Sequence, residues 1–379
     1  MPKLCTPTPI CPLQPLAPSG LSPIETAFKA GDTEGVCALL RSCAPNNKDQ
    51  NGLTALMWAA FIGRPELVSE LIFSSNVQAL TSYYAQALSV AAEKGHVSCV
   101  KVLLPHSNPW ARGGDKGSAL DCAARAGQLE CLTLLIDYNP DFLDQTARQS
   151  NLGVCAVIAA GRGHLDCLLH LMHLGALDAG STWVVAALHD AALSGRVNTI
   201  RAILSHAPHQ PEVIASTLVV TARSFHPAAN EGATDEQLEA CIKLLTQALP
   251  QGSAYTEDLC FVALCWLAGL GRTSCLKQVL PLCPSLAGRS GPGPGVSYGS
   301  PLGYAALGGS QSCVEVLLPF SDLDALDEKG RNPSKVAIDG GFPELGVFIE
   351  SERSRRESLI LNDAATRADP MRLTPTSRL

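Results

Sequence analysis

The sequence predicts an all-α fold, a solenoid of about ten helix-turn-helix repeats joined by short finger loops. Two observations predict it. Each repeat holds a short apolar stretch with paired small residues, then a glycine, then a second apolar stretch closing in Leu-Leu or a similar pair. The glycines also recur at a fixed interval, at Gly31, Gly63, Gly95, Gly127, Gly163, Gly195, Gly271, Gly309 and Gly341. The steps from Gly31 to Gly63, Gly95 and Gly127 are each 32 residues, and 32 recurs from Gly163 to Gly195 and from Gly309 to Gly341. A fixed period of this size marks an array in which each repeat is one supersecondary unit.

The clearest copies are TALMWAAFIGRPELVSELI from Thr54, ALSVAAEKGHVSCVKVLL from Ala87, ALDCAARAGQLECLTLLI from Ala119 and CAVIAAGRGHLDCLLHLM from Cys155. Paired alanines let a first helix approach its neighbour closely, and glycine supplies the backbone freedom of the turn between antiparallel helices. Aliphatic positions fill the layer between repeats, because one repeat alone cannot bury its apolar face. At about 1.5–3 kcal/mol per buried aliphatic side chain, positions such as Leu56 and Leu120 carry the main stabilising term.

In chain order, residues 1–21 are a Pro-rich stretch expected to be a disordered leader. Ser22-Pro23-Ile24-Glu25 reads as a capping box with Pro at the first helical position, which starts the array. The array is expected over residues 22–350. The step from Gly127 to Gly163 is 36, placing extra residues in DYNPDFLDQTARQS. In repeat seven, aligning EQLEACIKLL with GQLECLTLLI sets Gln237 near the glycine position, 42 residues after Gly195. That implies an insertion at about 225–234, within the helix pair. The 38-residue step from Gly271 to Gly309 is absorbed by a Gly/Pro linker at about 284–299. The first, seventh, eighth and tenth repeats are degenerate, and residues 351–379 read as a charged helix and tail.

Hydrophobic residues make up 46% of the 379 and charged residues 17%, below the roughly 25% charged of average chains, so most of the chain is packed. The net charge is -7 from 28 basic and 35 acidic residues, and no Lys/Arg stripe follows the sequence. Nucleic acid is therefore not an expected partner. The start lacks the apolar segment and cleavage site of a secretory signal. The longest apolar run, LCFVALCWLAGL at 259–270, falls short of the roughly 20 residues needed to cross a bilayer. These features point to a monomer in the cytoplasm, with possible attachment to the cytoskeleton and no membrane insertion.

The Ala-Ala, Gly and aliphatic pattern over residues 22–350 resembles the ankyrin repeat. The phrases GLTALMWAA and GHVSCVKVLL, with Cys recurring in the second helix, also resemble the large ankyrin-repeat families of diplomonad protists such as Giardia. Some of those proteins carry a kinase domain ahead of the repeats. Here no Gly-rich loop, V-A-I-K-like strand, H-R-D or D-F-G pattern occurs, so the resemblance is to a repeats-only member. It implies a scaffold for protein partners, with no cofactor.

Cys99, Cys131, Cys167, Cys241, Cys275 and Cys313 occupy one slot of the second helix, four residues after the glycine position. Equivalent helices of neighbouring repeats lie about 8–10 Å apart, too far for a disulfide, so these read as small apolar core residues. His96 and His164 follow turn glycines and His189 sits in AALHDAA, where hydrogen bonding within turns accounts for them. His170 and His173 have helical ligand spacing but no third ligand follows. No catalytic, cofactor-binding or metal residue is assigned, and the chain is not expected to be an enzyme. Arg355-Arg356-Glu357-Ser358 has the form of a basic-directed phosphorylation site.

The variable residues between Ala-Ala and Gly are expected to line a concave protein-binding face. They are Phe61, Ile62, Glu93, Lys94, Arg125, Arg162 and Leu193, with Tyr83, Tyr84, Trp110 and Trp183 in the preceding fingers. Aromatics and Arg dominate interface hot spots, and Phe61 with Ile62 exposed together would compromise solubility. Trp58 is expected in the core. The function read from this is a non-catalytic adaptor or scaffold for intracellular proteins. A structural, cytoskeleton-associated role is the alternative, and an enzyme or regulatory subunit of a signalling enzyme the remote one.

Overall fold

The local chemistry that builds a helix pair is seen most clearly in the copy from Ser118. The Ser118 hydroxyl accepts from the Asp121 N–H while the Asp121 carboxylate accepts from the Ser118 N–H, a capping box that starts the helix. Gly127, left-handed at φ 72°, ends it. Leu129 then opens the second helix, in which Cys131, Leu132, Leu135 and Ile136 are buried.

The computed structural model describes residues 23–43, 49, 53–74, 81–110, 117–138, 145–178, 182–206, 210–226, 232–249, 254–283 and 299–368. The leader, the Gly/Pro linker up to 298 and the tail from 369 lie outside the described residues. Regular structure among the described residues is helical, with no strand. The chain divides into two compact units, Met1–Ala191 and Ala192–Leu379.

The first unit contains the pairs α1 (Pro23–Lys29) and α2 (Thr33–Ser42), α3 (Ala55–Ile62) and α4 (Pro65–Ser74), α5 (Thr81–Lys94) and α6 (Val97–Leu103), α7 (Ala119–Ala126) and α8 (Leu129–Asp137), and α9 (Gln145–Arg162) and α10 (Leu165–His173), followed by α11 (Thr182–Leu193), in which the unit ends. First helices pack on first helices, α3 on α5, α5 on α7 and α7 on α9, and second helices pack in a parallel layer. The alanine pairs Ala59-Ala60, Ala91-Ala92, Ala123-Ala124 and Ala159-Ala160 are fully buried in the first layer, where a larger side chain would hold the helices apart.

The second unit contains α12 (Val197–His206), α13 (Pro211–Ser224), α14 (Asp235–Ala248), α15 (Ala254–Gly269), α16 (Thr273–Val279), α17 (Pro301–Leu307), α18 (Gln311–Leu317), α19 (Pro333–Asp339) and α20 (Pro343–Ala368). Between α13 and α14 the turn is lengthened. Thr234 and Gln237 form a capping box, so Gln237, aligned with a turn glycine, stands in the first turn of a helix that begins early. Phe225, the first residue of the insertion, is buried with the Arg272 guanidinium 4.9 Å from its ring centroid. At the far end, Arg356 of α20 donates to the carbonyls of Leu318 and, at 3.3 Å, Ser321, and Arg353 pairs with Asp324 at 2.9 Å. Arg356 is thus occupied in anchoring the helix.

All nine repeat glycines have positive φ. A second requirement emerges from packing: a Cβ built on Gly63 would lie 2.6 Å from the His96 ring, one on Gly95 2.4 Å from Gln128, and one on Gly127 2.4 Å from the His164 ring. At these three positions the residue after a glycine thus covers the glycine one repeat earlier, whereas an added Cβ on Gly31 meets nothing within 4 Å. The cysteine slot is core throughout, with all six side chains at most 1% exposed. Burial pushes the thiols of Cys99, Cys131 and Cys167 up to about 11 and those of Cys241 and Cys275 up to about 12, which leaves them unreactive at neutral pH.

Candidate interaction face on the first helices

The last residues of the first helices share one register in the first unit. Phe61 and Ile62 end α3, Glu93 and Lys94 lie at the end of α5, Arg125 and Ala126 end α7, and Gly161 and Arg162 lie at the end of α9. His96 Nε2 lies 3.0 Å from the Phe61 carbonyl and His164 Nε2 2.9 Å from the Arg125 carbonyl. A carbonyl only accepts, so Nε2 carries the hydrogen in both rings. These histidines bond across repeats rather than within their own turns, and they fix the helix ends on which the candidate side chains stand. His189 lies inside α11, not in a turn, and burial holds its imidazole below the ordinary value.

At one end of the row three aromatic rings meet. Phe28 and Phe61 have centroids 5.5 Å apart, Trp58 and Phe61 5.5 Å, and Phe28 and Trp58 5.9 Å. Trp58 is buried and donates its indole N–H to Asp49 at 2.8 Å, which makes it the foundation of the cluster. Phe28 is 43% exposed, and Lys94 Nζ stands 4.7 Å from the Phe61 ring centroid, a cation–π contact. Phe28 and its neighbour Lys29 escaped sequence reading because the first repeat is degenerate. Counting back two residues from Gly31, as from the other glycines, finds Lys29, whereas Phe28 stands three before it, in the slot that Ala60, Ala92 and Ala124 fill elsewhere.

The other expected residues divide. Lys94 and Arg162 are exposed, and Glu93 and Arg125 are half-buried. Phe61 and Ile62 are half-buried rather than exposed together, because Phe61 packs on Trp58 and Phe28. Trp110 is not on the face. It is buried, with its indole N–H directed at the Tyr138 carbonyl at 3.5 Å. Tyr83 and Tyr84 belong to α5 rather than to a finger, and their side chains lie outside the described residues. Trp183 also stands in a helix, α11, half-buried against Gly153, where an added Cβ would meet its ring at 2.4 Å. Leu193 belongs to the second unit and is half-buried there.

Nothing on this row pairs a nucleophile with a base, and among the described residues no three His, Cys, Asp or Glu side chains gather as metal ligands. A concavity of about 560 Å³ in the second unit, lined by Gly309, Gln311, Phe342 and Phe348 among others, contains one ionisable side chain, Glu344. No helix of the described residues is long and apolar enough to cross a membrane.

Paired helices, left-handed turn glycines and cross-repeat histidines define a helical-repeat protein of the ankyrin type. The family described as ankyrin repeats matches at residues 24–112 and 65–148, and this stretch of the chain consists of ankyrin repeats. Among solved structures, the ankyrin repeat domain of human ASB11 is similar at 16% identity, covering 78% of this chain and 96% of that chain with a TM-score of 0.33. No curated protein sequence matches, and the diplomonad resemblance gains nothing from these matches.

Proposed function

We propose that the chain is a non-catalytic adaptor that holds a partner protein on the first-helix ends of its first unit. The observation that carries this reading is the aromatic cluster of Phe28, Phe61 and Trp58, partly open to solvent and bordered by Lys94. Ankyrin repeats in general mediate protein–protein interaction, and aromatic side chains, Phe among them, are enriched at protein interfaces. A location in the cytoplasm fits an adaptor of this kind.

Phe28→Ser tests the reading better than a change at Phe61, whose ring packs on Trp58. The wild-type chain, Phe28→Ser and a control, Leu129→Ser on α8, are immobilised and used to capture proteins after their helical spectra are matched. A set of proteins retained by wild type and control but lost with Phe28→Ser is expected. Identical capture by all three would remove this face from consideration.

A further inference from the structure

We propose that the occupant of this face is an extended, acidic protein segment with an apolar anchor, a proposal that rests on the adaptor reading. The chain as a whole is acidic, at -7, yet the row of helix ends has the opposite balance. Lys29, Arg64, Lys94, Arg125 and Arg162 stand at or next to successive turns, against Asp32, Glu93 and Asp190. Lys29, Arg64, Lys94 and Arg162 are exposed. No such run exists along the sequence, because its members are separated by about one repeat. Stacking of α3, α5, α7 and α9 brings Arg64, Lys94, Arg125 and Arg162 onto successive repeats, and Lys29 joins them next to Phe28, whose ring meets Phe61.

The spacing of this row selects a conformation. Neighbouring helices lie about 8–10 Å apart, and an extended chain advances about 3.3 Å per residue. A segment running along the row therefore meets a new repeat every third residue, and in an extended polyproline II conformation, with three residues per turn, carboxylates at i, i+3 and i+6 lie on one side and would face successive cations. At the end of the row Phe28 and Phe61 stand among the charges, between Lys29 and Arg64, and suit one aromatic or aliphatic side chain. Lys94, over the Phe61 ring, joins the apolar end to the basic run. A helical segment, advancing about 1.5 Å per residue, would need six residues to cover the same step.

The test is selection of random 12-residue peptides on the full chain, followed by affinity measurement for the enriched set. Enrichment of Asp or Glu at every third position beside one large apolar residue is expected. Lys94→Glu combined with Arg162→Glu should weaken those peptides by at least about tenfold, with unchanged helical melting, and added salt should weaken wild-type binding, since exposed charges are screened. Neutral or basic peptides, retained by the charge-reversed chain but lost with Phe28→Ser, would overturn the acidic occupant and leave the adaptor reading standing. Recovery of no peptide at all would overturn the extended segment, and the capture experiment would then decide the adaptor reading by itself. Single-stranded RNA displacing the enriched peptides and binding more tightly than they do would overturn a protein occupant.

Discussion

In the first unit the turn glycines Gly63, Gly95 and Gly127 are covered by His96, Gln128 and His164, whereas in the second Gly195, Gly271 and Gly309 are covered by Ala233 with Gln237, Ser310 and Phe342. Both sets fill the same space. Only the histidines also bond the preceding helix end, for Ser310 turns its hydroxyl to the Cys313 N–H of its own helix at 3.4 Å and Phe342 has no polar group to offer. Filling the space above these glycines is common to both sets, and a hydrogen bond across repeats is an addition made by His96 and His164. The second unit, with steps of 42 and 38 residues, spends its polar contacts elsewhere. Asp327 accepts from the N–H groups of Lys329 and Arg331 at 2.9 and 2.8 Å and pairs with the Arg331 guanidinium at 2.8 Å, while Arg331 reaches Asp339 at 3.1 Å.

The largest expected effect separates the covered glycine from the open one. Gly127→Ala places a methyl in left-handed backbone and drives the His164 ring off the Arg125 carbonyl. Its expected destabilisation is about 2–3 kcal/mol, from the left-handed strain plus one hydrogen bond. Gly341→Ala, at φ 92° with nothing within 4 Å of the new methyl, carries the strain alone, about 1–2 kcal/mol. Urea unfolding of the two variants measures the difference, and equal losses would break the comparison.

Next in size is the Asp327 network. Burial pushes the carboxyl of Asp327 up, but hydrogen bonds from the Arg331 backbone and guanidinium and from the Lys329 N–H outweigh it and hold the group below the usual carboxylate range. With a depressed folded pKa, the stabilisation is present above the unfolded value and is lost as pH falls through the folded one. Asp327→Ala should therefore cost about 1–3 kcal/mol near neutral pH, and the gap to wild type should close at acid pH. Faster hydrogen exchange in α19 and the start of α20, with α7 and α8 unchanged, would confine the effect to the second unit. A gap independent of pH would exclude the carboxylate as its source.

The smallest effect tests where the two units agree. Because burial raises their thiols alike, Cys99 and Cys131 of the first unit and Cys241 and Cys275 of the second should all resist iodoacetamide at about pH 8. Among the described cysteines, the half-buried Cys37 and Cys43 should react first. Peptide mapping reads the order, and early labelling of Cys241 but not Cys99 would show the second unit opening more readily.

Much of this was legible because the repeat is a local code. The turn glycines and the cysteine slot follow from residues a few positions apart, so spacing placed them correctly. Orientation was not legible. Trp110 and Trp183 have the residue type of interface anchors, but one is buried under the Tyr138 carbonyl and the other packs on Gly153, contacts made across repeats. Phe61 likewise has the type of an exposed anchor and is half claimed by Trp58. The histidines were assigned to their turns because the carbonyls they reach lie 35 and 39 residues away.

By itself the sequence determined that this chain is all-α, where its helix pairs turn and which positions are core, since glycine placement, caps and apolar periodicity act within a few residues. Only the tertiary structure decided which side chains cover the turns and which remain open. It alone also set the Lys94 ammonium over the Phe61 ring and Phe61 against Phe28. These residues meet through packing of helices about one repeat apart in the chain, and charges at that separation form no pattern until the helices stack.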